Sequence, residues 1–407
     1  MRRLFSFVTA GAFALSATAT FAEDVTLRVW DTFADQTEGM AAFIADFEAA
    51  NPGIKIQRDV QSNDQMRPII QTALSSGTGP DVLYYDTGPG FAGVLAKAGL
   101  LLPLDDAYDA GMFSAVYPWT KERTTFDGKT YGVGNEVEFL GVYYNQAMFD
   151  ELGLKAPTTY EEFLAVAKAL KDADKIPVAF GDADGWPAFH LFSLYTNNII
   201  GKAGIEAMIA GKTSWDTPEV AEAIKLFFVD MNSEGLLPPS VNAITYDDTT
   251  NLFLSGQAGM NITGTWQIGS FSASDFPVGW FFLPKPGGGD PLPPAGLGSG
   301  YFISSATQHP EEAKKFLSYL FDPANAAHWV EGLQIVPPYK VDTTNLKVSP
   351  LLSFAMDALA KVPMGYNIDV LMPDAFNTAM LNGFQAVLAG DRTPAEQAAA
   401  LQATVGK

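Results

Sequence analysis

Val25-Thr26-Leu27-Arg28-Val29-Trp30, then Met40 to Phe47, Ile54 to Val60, Met66 to Leu74 and Val82-Leu83-Tyr84-Tyr85 read in turn as strand, helix, strand, helix and strand. The first segment alternates with the period of a strand and runs into a polar loop, Asp31 to Thr37. Apolar residues recur at helical spacing from Met40 to Phe47, and Asn51-Pro52-Gly53 stops that helix. The second helix breaks at Ser75-Ser76-Gly77-Thr78-Gly79-Pro80. Val82 to Tyr85 is short and wholly apolar, and the turn Gly88-Pro89-Gly90 follows. This alternation predicts an α/β fold, a parallel sheet with helices on both faces. Ligands of such sheets bind beyond the carboxyl ends of the strands, where Asp31 and Asp86 stand.

Upstream, residues 1–22 read as a signal peptide cleaved after Ala22. Arg2 and Arg3 give the positive start, Leu4 to Leu15 is mostly apolar, and Thr20 and Ala22 are the small residues before Glu23. That apolar run is too short to span a bilayer. The chain has no cysteine, which excludes disulfides, thiolate metal sites and a cysteine nucleophile. It also excludes a lipid-modified cysteine anchor, so the expectation is a soluble periplasmic monomer without membrane insertion. Cleavage would remove two arginines and no acid, taking the net charge from −21 to −23. Such acidity argues against nucleic acid and anionic membrane as partners. The 407 residues, 47% of them hydrophobic, suffice for two compact lobes.

Downstream, Tyr131-Gly132-Val133 leads through Gly134-Asn135-Glu136 into the apolar run Val137 to Tyr144, ending at Asn145. Thr158 with Glu161, or Thr159 with Glu162, forms a capping box, behind which Phe163, Val166, Ala167 and Leu170 recur at helical spacing. From Ala147 to Trp266 the chain reads as mainly helical. Phe281 to Leu297, rich in proline and glycine, reads as an irregular crossing. Helical segments return at Glu311 to Phe321 and after Pro337-Pro338.

Four segments in order carry a resemblance: Gly79-Pro80-Asp81-Val82, Tyr144-Asn145 through Pro157-Thr158-Thr159-Tyr160-Glu161-Glu162-Phe163, Leu252-Phe253-Leu254-Ser255-Gly256 through Gly264-Thr265-Trp266, and Gly298-Ser299-Gly300-Tyr301-Phe302-Ile303-Ser304 with Glu311-Glu312-Ala313 beyond it. Together they resemble the extracellular solute-binding proteins of ABC sugar importers, the maltose-binding-protein class. The resemblance covers almost all of the mature chain. It implies a two-lobe, hinge-linked fold with three chain crossovers: one lobe from 23–135 and 284–336, the other from 136–283 and 337–407. Hinges are expected near Gly134–Glu138, Leu283–Pro286 and Val336–Pro338. It also implies a sugar or oligosaccharide ligand, with the permease and ATPase of an ABC importer as partners.

A sugar presents hydroxyls on its edge and C–H groups on its face, so its receptor needs planar polar groups and aromatic faces. Trp266, just past a glycine-bracketed apolar strand, lies where the family stacks an aromatic on the sugar; a core anchor for the strand end is the other reading. By resemblance Glu138 falls at a sugar-contacting hinge glutamate, with Glu136 two residues away, and Tyr85 at a ligand-contacting aromatic beside Asp86. Trp30 and Asp31 end the first strand, with Asp35 and Gln36 in the loop beyond, which the family uses for hydrogen bonds. Trp186, flanked by Asp182 and Asp184, suits a second aromatic wall, and Gly300 with Tyr301 suits a close approach from the third segment. Asp81 is expected to satisfy nearby backbone amides.

No metal or cofactor is expected. The aspartates around Asp184 lack the full ligand set of a calcium loop, and the three histidines have no paired spacing. Neither a phosphate loop nor a nucleophile elbow occurs. Two alternatives remain beside the receptor. One is a secreted glycosidase using two cleft acids; the other is a receptor for a cationic solute such as a polyamine.

Overall fold

The computed structural model describes residues 24–33, 37–135, 137–296 and 298–405. The expected signal peptide over 1–22 and the candidates Asp35, Gln36 and Glu136 lie outside the described residues.

The chain folds as two α/β lobes. In the first, Val25–Asp31 pairs in parallel with Ile54–Val60 and Val82–Asp86, as the sequence pattern predicts. Two antiparallel strands, Ser299–Ile303 and Gly132–Gly134, complete a five-stranded sheet. Val82–Asp86 is buried along its whole length because both sheet faces are covered. Successive side chains therefore enter opposite cores. Tyr84 packs with Leu27, Val29 and Phe47, and Tyr85 with Met66, Leu74 and Leu95. The helix expected over Met66 to Leu74 is broken into Asn63–Met66 and Ile70–Ser75. Pro68 lies between them, lacking an amide hydrogen and disfavouring helical geometry in the residue before it.

The second lobe is built on Glu138–Asn145. This strand pairs antiparallel with Ala258–Gly264, Val278–Phe281 and Pro294–Gly296. Ile176–Ala179 and Gly365–Tyr366 extend the sheet to six strands. Leu140 and Val142 point into one core, Phe139 and Tyr143 into the other. The first core receives the helix Tyr160–Asp172, whose Phe163, Val166, Ala167 and Leu170 are buried. Of the two capping boxes the sequence allowed, Thr159 with Glu162 is formed: the Glu162 amide donates to Thr159 Oγ1 at 3.2 Å, and the Thr159 amide to Glu162 Oε2 at 3.3 Å.

Three segments join the lobes. The first runs from Gly134 in one sheet to Glu138 in the other. The second differs from the expected Leu283–Pro286. Pro294–Gly296 still belongs to the second-lobe sheet, and the chain enters the first only at Ser299. Residues 284–296 are therefore not first-lobe chain. The proline-glycine run loops out of the second lobe and returns to its edge, because Ala295 and Gly296 find ladder partners in Phe139 and Glu138. The third joining segment lies beside the first, with the Val137 amide donating to the Val336 carbonyl at 3.1 Å. Tyr339 then bridges back to Val116 of the first lobe before the helix Pro350–Lys361 docks on the second. The return is thus later than Val336–Pro338. Among the described residues no helix is long and apolar enough to cross a membrane.

Candidate functional site

A cavity of about 670 Å3 lies between the lobes. The first lobe contributes Phe33, Asp64, Arg67, Tyr84 and Asp86 to its wall, and the second contributes Trp186, His190, Tyr246 and Trp266. Glu138, Gly298 and Ile335 reach it from the joining segments, and Asn367 and Asp369 from the C-terminal part of the chain.

Trp266 is placed by the end of the strand Ala258–Gly264. Gly264 has no side chain, and a Cβ there would stand closer than 3.0 Å to three atoms of the indole ring. The ring thus folds back over its own strand end while remaining half-buried. Its Nε1 donates to the Tyr246 hydroxyl at 2.6 Å, and Gln267 Nε2 donates to the same oxygen at 2.8 Å. With two acceptor positions filled, that hydroxyl donates its own proton to Thr263 Oγ1, 2.9 Å away. Burial pushes the Tyr246 phenol up to about 12, so it stays protonated.

His190 and Trp186 continue this aromatic corner. The ring centroids of His190 and Trp266 are 5.0 Å apart, those of Trp186 and Tyr246 4.4 Å. Burial, aided by the nearby Arg67 cation, lowers His190 to about 3, so the imidazole is neutral at physiological pH. Trp186 opens the helix Trp186–Ile200, and the loop before it is held by its two aspartates. Asp182 Oδ1 accepts from the Ala188 amide at 2.9 Å, and Asp184 Oδ2 from the Tyr246 amide at 2.7 Å. Asp184 therefore fixes Tyr246 and is not itself on the cavity wall.

Across the cleft, Arg67 Nε donates to Asp86 Oδ2 at 2.8 Å, and the guanidinium lies over Phe91, 5.3 Å from the ring centroid. Asp64 faces the second lobe. Burial and then the charge of Asp184 raise its pKa, and the nearby Arg67 cation opposes the shift. Asp369 is pushed up to about 6, by burial first and then by the charge of Asp86; Arg67 and Arg123 oppose the shift.

Of the residues singled out from the sequence, Trp266, Trp186, Asp86 and Glu138 are brought together on this cavity. Asp184, as noted, and five others are not. Tyr85 faces the core beneath the sheet, and its neighbour Tyr84 reaches the cleft instead. Trp30 packs against that same core. Asp31 is 1% exposed and locked to Arg58 by two bonds of 2.6 and 2.7 Å, while its Oδ1 also accepts the Phe33 amide. Gly300 is paired between Tyr85 and Gly134 in mid-sheet, and Tyr301 is buried in the first-lobe core. In each case strand pairing turns the side chain, or the backbone edge, away from the gap. Asp81 does satisfy backbone, accepting the Arg28 amide at 2.8 Å. Sequence reasoning passed over Arg67, Tyr246 and Asp369 as site residues. Only the step of one residue along Val82–Asp86 could have pointed to Tyr84. Among the described residues no cluster of histidine and acidic side chains could hold a metal.

The model of the family described as bacterial extracellular solute-binding protein matches residues 31–327. A relative from Pyrococcus horikoshii, an uncharacterized ABC transporter extracellular-binding protein, is 27% identical over 330 residues, 78% of this chain and 72% of its own. The multiple sugar-binding protein of Streptococcus mutans is 25% identical over 373 residues, 88% of this chain and 86% of its own. Among solved structures, a chitin oligosaccharide binding protein superimposes with a TM-score of 0.82 at 26% identity, covering 94% of this chain and 98% of that one.

Proposed function

The chain belongs to the bacterial extracellular solute-binding proteins, and we propose that it captures a neutral sugar or oligosaccharide between its lobes and hands it to the permease of an ABC importer driven by its ATPase. The observation that carries this reading is the aromatic corner of the cleft. Trp266 is held over Gly264 by Tyr246, with its ring on the cavity wall and polar groups facing it. An aromatic face opposite hydroxyl-binding groups is what a sugar ring requires. The sugar-binding descriptions of its relatives support the same ligand class.

The family is one of receptors, so the glycosidase reading falls away. The cationic-solute reading is disfavoured by Arg67, which stands on the cavity wall and already takes Asp86 as its partner. We further take the mature chain to begin at Glu23, to act as a periplasmic monomer, and to present a surface of each lobe to the permease. Intact-mass measurement of the secreted protein tests the first of these, and a chain retaining residues 1–22 would reject it.

Trp266→Ala tests the central claim. Loss of a stacking anchor costs about 2 kcal/mol or more, roughly thirtyfold in dissociation constant. Titration calorimetry and the melting temperature of unliganded protein, taken on one variant, separate binding from packing. A variant that melts much lower but binds sugar normally when folded would show that Trp266 is a packing residue.

A further inference from the structure

The cleft has a second polar end, distant in sequence from every motif described above. Asn367 and Asp369 lie between the strand Gly365–Tyr366 and the helix Asp374–Ala389, and both line the cavity. They are 2% and 7% exposed. Asn367 Oδ1 and Asp369 Oδ1 are nevertheless without a hydrogen-bond partner. Buried acceptors are almost always satisfied in folded proteins, so two such atoms on one ligand cavity point to donors that the ligand brings.

Their backbone is fixed in advance. Asn197 of the helix Trp186–Ile200 clamps Tyr366, accepting its amide at 3.0 Å and donating to its carbonyl at 2.8 Å. The Ile368 amide donates to Ser193 Oγ at 3.0 Å, and Asn377 Nδ2 to the Asp369 carbonyl at 3.0 Å. From the other lobe, Gly88 with a φ of +89° packs directly on the Val370 carbonyl, an approach that a side chain would block. The Val370 amide also steadies the Asp369 carboxylate, and Oδ1 of Asp369 and Oδ1 of Asn367 are left to the cavity.

The charges around Asp369 set what those oxygens accept. Arg67 is engaged by Asp86. Arg123, whose buried Nε and Nη2 also lack partners, is not on the cavity wall and acts on Asp369 and Glu138 only through its field. The wall at this end thus offers acceptors, with the carboxylates of Asp86 and Glu138 nearby, and the guanidinium of Arg67 on the same wall is already paired through Nε with Asp86 and lies 3.8 Å through Nη1 from Asp64. We propose that Asp369 and Asn367 form a hydroxyl-accepting subsite that selects neutral sugars over sugar acids, a deepening that rests on the sugar-receptor reading of the cleft. A sugar hydroxyl donates a charge-assisted bond to the Asp369 carboxylate. A uronate carboxylate placed there would meet an anion with its own acceptors.

The test is titration calorimetry of the mature protein at pH 7.5 with maltotriose, xylobiose, glucose and galactose, and with glucuronate and galacturonate as acidic counterparts. Wild type should prefer the neutral sugars. Asp369→Asn should weaken the tightest of them by about 10- to 100-fold and narrow the preference over the uronates. Its unliganded melting temperature should not fall, because no native bond to Oδ1 is lost. If Asp369→Asn does not fold, Asp369→Ser serves, with the same expected loss. Affinity within twofold of wild type, or a wild type that binds uronates as tightly as neutral sugars, would overturn the proposal. Trp266→Ala in the same assay separates the two levels. Loss there with Asp369→Asn unaffected sinks the subsite alone, whereas a wild type that binds none of the sugars sinks the receptor reading and the subsite with it.

Discussion

Gly264→Ala should disable the aromatic corner without touching an aromatic residue. Gly264 has φ −99° and ψ 178°, extended backbone that alanine adopts freely, so the substitution adds no backbone strain. Its effect is purely steric. The new methyl would stand inside 3.0 Å of Cζ3, Cε3 and Cη2 of Trp266, where carbon atoms settle at about 3.5–4.0 Å. The ring must therefore shift by on the order of 1–2 Å. That shift breaks the 2.6 Å bond from Nε1 to Tyr246 and opens the contact with His190. Overpacking of this kind costs about 1–3 kcal/mol, and the lost hydrogen bond about 1 kcal/mol more. Chemical denaturation of the unliganded protein should report a loss of about 2–4 kcal/mol, and calorimetric titration at least a tenfold loss of sugar affinity. In a Trp266→Ala background the same glycine change should be nearly silent, since the two residues act through one contact. A Gly264→Ala protein with unchanged stability and affinity within twofold would refute the placement of the ring.

Three further outcomes follow from the same geometry. Asp31→Ala breaks a buried pair with Arg58 and should cost about 3–5 kcal/mol of stability, while the sugar affinity of the folded fraction stays unchanged; a selective loss of affinity would return Asp31 to the site. Asp369, raised to about 6 in the folded chain from the ordinary aspartate value of 3.8, makes the folded state bind more protons between those values, so its contribution to stability falls as pH rises through about 4 to 6 and then levels off, by up to about 3 kcal/mol. Relative to wild type, Asp369→Asn should accordingly be more stabilising at pH 7.5 than at pH 4.5 in urea denaturation, and the opposite order would contradict the burial argument. Saturating sugar should reduce the radius of gyration in small-angle scattering, because a ligand that touches both walls favours the closed arrangement; no change at saturation would indicate a rigid cleft.

Local sequence patterns determined the kind of element at each place because their causes are local. Alternation made Val25–Asp31 a strand, Thr159 and Glu162 capped the helix Tyr160–Asp172, and Pro68 split a helix that apolar spacing alone had joined. The placement of Trp266 at the strand end was legible as well, since a large aromatic two residues after Gly264 is a short-range feature. What local pattern left undecided was which side chains meet. Tyr84 and Tyr85 are equally apolar neighbours, and only the packing of the sheet between two cores sends one to the cleft and the other away from it. Asp31 stands at the carboxyl end of its strand, where ligands bind, but the pairing of Val25–Asp31 with Ile54–Val60 sets Arg58 against it. The proline-glycine run reads as a crossing by composition, yet the ladder partners offered by Glu138 and Phe139 keep its end in the second lobe. Asp369 and Asn367 carried no motif at all. Their unsatisfied oxygens exist only because the third joining segment carries the C-terminal chain back to the second lobe, against Gly88 of the first, more than 200 residues after the strand that holds Glu138. Propensity acts over a few residues, whereas a cleft is made by the burial and pairing of chain segments that sequence separation keeps far apart.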